Sequence, residues 1–201
     1  MAKYTVRIDH CDSVENPCDN DGSWKIYSFN RNHCNYKNPA EIFHDSGKPR
    51  LKYANKLRHG LAFVLSYYQH GACLWSIRGS GPQCHWDTIQ RAGIAVWEEP
   101  VENMGAKSPE DREKDCRNCL KEYNSWANGE CYWFEIIDSE GNQLDSCGGF
   151  IGDYVLEGVR ESLPKDATEE NTEIVSQYGF ETWQLYKSPL PQGLQVTSVK
   201  A

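Results

Sequence analysis

The chain reads as an α+β protein, an antiparallel sheet with two or three helices packed on one face. Three observations predict that class. One long stretch between a Ser-Pro start and an Asn-Gly stop carries helical periodicity. Several short runs alternate apolar or aromatic residues with polar ones, and glycine and proline separate these runs at the spacing of turns.

The elements follow in order. Tyr4 to Ile8 alternates like a strand, and Trp24 to Phe29 is a second strand across a polar loop. Leu61 to Tyr68, Ala72 to Ile77 and Ile94 to Glu98 supply the sheet centre, punctuated by Gly71, Gly79, Gly81 and Pro82. A helix is expected from Pro109 to about Ala127. Ser108 caps it with Asp111 three residues on, Pro109 suits the first turn, and Asn128-Gly129 closes it. Its inner stripe is Cys116, Cys119 or Leu120, Tyr123, and Trp126 or Ala127.

Cys131 to Ile137, the turn 138–142, and Gln143 to Cys147 form a hairpin. In Asp145 to Gly152, three glycines around Cys147 and Phe150 are expected to break the strand and turn the backbone into the next helix. Such a corner is a packing junction or a binding surface, and packing is favoured. That helix runs from Tyr154 to Leu163 behind Asp153 and stops before Pro164. A third, short helix covers Thr172 to Tyr178, ended by Gly179. Pro189, Pro191 and Gly193 mark a flexible tail over 188–201, so the expectation is one domain over 1–187.

Composition narrows the function classes. Seven tryptophans and a 39% hydrophobic content suit one substantial core, and no run approaches the roughly 20 apolar residues of a membrane helix. With no signal-peptide core near Met1, the expected location is the cytosol. Nine cysteines, an odd number, are then expected as reduced thiols used mostly for packing. The net charge of −8 is uneven. Residues 1–100 hold 12 Lys or Arg against 10 Asp or Glu, and residues 101–201 hold 9 against 19. Mimicry of DNA is not favoured, because Arg112, Lys114, Arg117 and Lys121 interleave with the acids of the long helix.

Four clusters carry chemistry. Cys116-Arg117-Asn118-Cys119 has the spacing of a half zinc site or a redox pair, but no second Cys-x-x-Cys exists and Cys116 lies well inside the helix; core packing is favoured. Cys84-His85-Trp86-Asp87 holds a thiol, an imidazole and a carboxylate. On a strand Cys84 and His85 would diverge, whereas His85 and Asp87 would share a side and are the candidate proton-handling pair. The segment 45–59 gathers Lys48, Arg50, Lys52, Lys56 and Arg58 around Tyr53, and Arg78 opens a glycine-rich turn. Together they fit a phosphate grip with a stacked base, against the plainer reading of a solvated face. His10, Cys11, Cys18, His33 and Cys34 match no zinc spacing, so no metal and no cofactor are expected.

Tyr68-Gln69-His70-Gly71, Trp86-Asp87-Thr88, Gly93-Ile94-Ala95, and Asp145-Ser146-Cys147 before Gly148-Gly149-Phe150-Ile151-Gly152 occur in the order of blocks found in a group of uncharacterised phage and prophage proteins. Over about residues 8–163 the chain resembles that group, with Thr88 where the group has Ser and Gly148 where it has Trp. The resemblance implies a phage or mobile-element origin and brings no reaction with it. The expectation is a non-catalytic accessory protein in the host bacterium's cytoplasm that binds and inhibits a host protein as an anti-defence factor. Its contacts would be Glu110, Asp111, Glu113, Asp115 and Glu122 of the long helix, facing a defence nuclease or other nucleic-acid-binding protein. Direct nucleic-acid binding is not expected. The competing readings are a nucleotide binder or enzyme using the basic segment with His85 and Asp87, and a zinc-stabilised structural protein.

Overall fold

A computed structural model describes residues 3–19 and 24–187. Among them the strands are β1 (Tyr4–His10), β2 (Trp24–Ser28), β3 (Ala62–His70), β4 (Ala72–Ile77), β5 (Thr88–Trp97), β6 (Cys131–Asp138), β7 (Gln143–Ile151) and β8 (Thr172–Val175). The helices are α1 (Leu51–Arg58), α2 (Pro109–Ala127), α3 (Tyr154–Ser162) and α4 (Thr182–Tyr186). The expected tail over 188–201 lies outside the described residues. Mixed α and β structure is present as expected, but the strands form two four-stranded sheets rather than one. The chain divides into two compact units, Asp12–Cys131 and Met1–Cys11 with Tyr132–Ala201.

In the unit Asp12–Cys131 the strand order is β2-β5-β3-β4, all antiparallel. Alternation sorts its side chains into two clusters. Trp24, Ile26, Leu65, Ala95 and Trp97 pack with Cys116, Leu120 and Tyr123 of α2. Ile94 and Val96, with Tyr27 and Val64, pack instead with Ile42, Phe43, and Tyr53 and Leu57 of α1. This sheet is therefore covered on both faces, because β5 is buried continuously from Ala92 to Trp97. The helix α1 lies in the segment expected as a solvated loop or helix face, and it departs from that expectation in burying Tyr53. Its apolar stripe is only Tyr53 and Leu57, one turn apart within a basic run.

Both edges of this sheet are partly covered. The backbone of Ser28 in β2 exchanges hydrogen bonds with the segment 35–37: Ser28 N–H donates to Asn35 O at 3.0 Å and Lys37 N–H to Ser28 O at 2.8 Å. On the β4 side, α2 supplies two asparagines a turn apart. Asn124 accepts from Trp75 N–H at 2.7 Å and donates to Trp75 O at 2.9 Å. Asn128 does the same for Cys73, at 2.8 Å in both directions. A primary amide can present one of its N–H donors beside its C=O acceptor in the pattern of a peptide group, so the two side chains stand in for rungs of the strand that β4 lacks.

The unit Met1–Cys11 with Tyr132–Ala201 has strand order β7-β6-β1-β8. β1 runs antiparallel to β6 and parallel to β8, so the sheet is mixed. Val6, Ile8, Phe134 and Ile136 cluster with Val155, Leu156 and Val159 of α3 and Leu185 of α4. The short helix expected over Thr172–Tyr178 is instead strand β8. Thr172, Ile174 and Val175 are β-branched, and pairing with Tyr4–Arg7 overrides the local helical reading. The glycine-rich corner also differs from expectation, since β7 continues through it to Ile151. Gly149 absorbs the irregularity at φ +88°, and a Cβ on Gly148 would stand 3.2 Å from Trp133 Cβ. That contact is a close cross-strand approach at Gly148 alone, since Gln143 to Gly149 are all exposed and a Cβ on Gly149 would meet nothing within 4 Å.

Candidate functional site

The connection from β4 to β5 crosses β3, which lies between them, and it holds the Cys84–Asp87 cluster. It is a tight turn, not a strand. Thr88 organises it: its N–H donates to Cys84 O at 3.0 Å, its Oγ1 donates to Pro82 O at 3.0 Å and accepts from Cys84 N–H at 3.2 Å. The Cys84 thiol donates to Asp87 Oδ2 at 3.2 Å, and the same oxygen lies 3.5 Å from His70 Nδ1. Gln69 N–H donates to Asp87 O at 3.1 Å, and Gln90 Nε2 to Gln83 Oε1 at 2.9 Å. Before the turn, Gly81 lies so close to Ser76 that a Cβ there would stand 2.0 Å from Ser76 Oγ.

The expected pairing of His85 with Asp87 rested on strand alternation, and the turn changes its terms. The partners of Asp87 are Cys84 and His70. His85 is exposed and packs edge-on against Trp86, ring centroids 5.1 Å apart. Trp86 is 88% exposed, the most open large apolar side chain among the described residues. His70 also lines a groove of about 600 Å³ along β4 and α2, together with Tyr68, Leu74, Ser76, Lys121 and Asn124. The turn and the groove thus share a residue.

The basic segment is dispersed around α1. Lys48, Lys52 and Arg58 are exposed, and the Arg50 guanidinium donates to Ala40 O at 2.7 Å. The Lys56 ammonium donates to Trp97 O, and burial holds its pKa below the ordinary lysine value. Tyr53 is buried in the core, so it offers no face for a base to stack on. Arg78 is exposed in the turn after β4.

The α2 acids divide between surface and fold. Glu110 is exposed, and Asp111 is exposed but accepts from Ser108 Oγ at 2.8 Å while its N–H donates back to that oxygen at 3.0 Å. Glu113 pairs with Arg117 a turn later, at 3.1 Å to Nε. Asp115 accepts from the buried Trp24 indole at 2.9 Å, which commits it to the core. Glu122 is half-buried, and burial raises its pKa above the usual carboxylate value.

No two of the cysteines are joined by a disulfide in this structure. The packing reading of Cys116 holds, since it is fully buried in the α2 cluster. Cys119 faces Cys18 across a 3.5 Å sulfur–sulfur contact that sequence spacing gave no means of finding. Among the described residues no group of three or more His, Cys, Asp or Glu side chains is placed to hold a metal, and no helix is long and apolar enough to cross a membrane. No family model, curated protein or solved structure matches the chain.

Proposed function

We propose that the protein is a non-catalytic binding module whose contact centre is the turn Gln83–Asp87, with Trp86 as the anchor. One observation carries this reading: an indole that is 88% exposed stands on a turn pinned by the Thr88, Asp87 and Gln90 hydrogen bonds. An exposed indole offers a partner a large, flat apolar face with an N–H donor at its edge. Tryptophan is enriched among the residues that dominate binding energies, and a turn held rigid before association loses little entropy on docking.

The partner is a host protein, and the action is inhibition of a defence function in the bacterial cytoplasm. The support for this is the order of sequence blocks shared with phage and prophage proteins, together with the net charge of −8, which suits a basic nuclease or another nucleic-acid-binding protein. Glu110 and Asp111, exposed in the first turn of α2, are the acids best placed to steer such an encounter.

Affinity capture from lysate of the natural host tests the reading, with Trp86→Ala run in parallel. Stoichiometric retention of one host protein by the wild type, lost in the variant, is the expected outcome. A nucleotide that co-purifies and raises the melting temperature, with no protein retained, would move the function to a ligand site instead.

A further inference from the structure

The thiols of Cys18 and Cys119 lie 3.5 Å apart although 101 residues separate them in sequence. We propose that Cys18 and Cys119 form a reversible disulfide when the protein meets a low-molecular-weight disulfide such as oxidised glutathione, stapling the segment 12–19 to α2. A covalent S–S bond is about 2.05 Å long, so the sulfurs must close roughly 1.5 Å, within the range of side-chain rotation.

The segment is already docked where the bond would form. The Trp126 indole donates to Val14 O at 2.9 Å, and Trp126 follows Cys119 by about two turns of α2, on the same face. Cys18 is aimed by an Asn16 turn: Cys18 N–H donates to Asn16 Oδ1 at 2.9 Å and Asp19 N–H to Asn16 O at 3.0 Å. Side-chain geometry that is held before reaction favours this pairing over any that requires the backbone to move.

Exposure orders the steps. Cys119 is part-exposed, whereas Cys18 and Cys116 are buried. The Cys119 thiol loses its proton, and the thiolate attacks one sulfur of glutathione disulfide. A glutathione thiolate leaves, and a mixed disulfide remains on Cys119. Cys18 then loses its proton and attacks Cys119 Sγ, expelling the second glutathione thiolate. The two thiolates take up the two protons released, so the protein is oxidised by two electrons and one glutathione disulfide is reduced to two glutathione molecules. In the dithiol the hydrogen bond to Cys119, followed by burial, raises the Cys18 thiol far above its ordinary pKa; once Cys119 carries glutathione that hydrogen bond is gone and burial alone disfavours the Cys18 thiolate. Ring closure is therefore slow at neutral pH and accelerates as pH rises. Cys116 is fully buried and held as a neutral thiol by that burial, which leaves it a spectator.

The test is to equilibrate the full-length protein in glutathione buffers of graded ratio, quench with acid, alkylate, and map the disulfides by peptide mass spectrometry. The proposal predicts a Cys18–Cys119 linked peptide as the dominant internal disulfide. The protein should lose two hydrogens, and its melting temperature should rise by roughly 10 °C, reversed by a dithiol reductant. Cys119→Ser should leave Cys18 reduced under the same buffers. A dominant Cys116–Cys119 link, or oxidised protein carrying only glutathione adducts on the exposed Cys34 and Cys147, would overturn it.

Discussion

Replacing Asn124 with alanine removes the rung that α2 adds beside β4. Asn124 makes two hydrogen bonds to the Trp75 peptide groups, at 2.7 and 2.9 Å. At about 1 kcal/mol net each, their loss costs about 2 kcal/mol. Trp75 is only 3% exposed, which alone would leave its N–H and C=O stranded and push the cost towards 3 kcal/mol. The groove lined by Asn124 and Trp75 opens to solvent, however, and water entering it recovers part of the loss. The expected destabilisation is therefore about 2 kcal/mol, read by urea unfolding of the wild type and Asn124→Ala. Hydrogen exchange adds a local readout: the Trp75 amide should lose protection while the Cys73 amide, held by Asn128, keeps most of its own. A loss below about 0.5 kcal/mol with unchanged Trp75 protection would refute the view that asparagine side chains stand in for rungs at this sheet edge.

Glu122→Gln should stabilise the protein at pH 7. The folded-state pKa of Glu122 is raised by burial, so its ionised form is penalised, and stability is lost as pH rises through that value. Below the ordinary value of 4.5 both states hold the proton and the variant should match the wild type, which thermal melts across pH will show. Gly93→Ala should cost about 3 kcal/mol in chemical denaturation, because a Cβ there would stand 2.3 Å from Tyr27 O and 2.9 Å from the Trp75 ring. Asp87→Ala removes the acceptor of the Cys84 thiol and the neighbour of His70. It should leave global stability nearly unchanged while weakening partner binding about fivefold, measured by calorimetric titration, because the turn must then be ordered on docking.

The α2 helix was legible because its signals are local: the Ser108–Asp111 cap and the Asn128 stop lie within the segment they terminate. The β6–β7 hairpin was legible for the same reason. What the sequence hid depends on partners far along the chain. Thr172–Val175 becomes a strand only because β1 is there to pair with it, and Tyr53 turns inward only because Ile42, Phe43 and Ile94 make its pocket. At the candidate site the cluster Cys84–Asp87 was visible, but its wiring was not. Strand alternation pointed Asp87 at His85, whereas the Thr88 turn delivers it to Cys84 and to His70 at the end of β3. Exposure of Trp86 follows from that turn and has no signature of its own, since most tryptophans in this chain are wholly or partly buried. The acidic stripe of α2 misled for a related reason. Asp115 looks like a surface charge until Trp24 is seen to donate to it.

The measurement closest to the central claim is the dissociation constant of the captured host protein for the wild type and for Trp86→Ala, with Trp183→Ala, another exposed tryptophan far from the turn in sequence, as the comparison. The account predicts that Trp86→Ala weakens binding at least about 30-fold, the loss of a dominant anchor at 2 kcal/mol or more, while its melting temperature stays that of the wild type and Trp183→Ala binds normally. Equal affinity for the wild type and Trp86→Ala would contradict it.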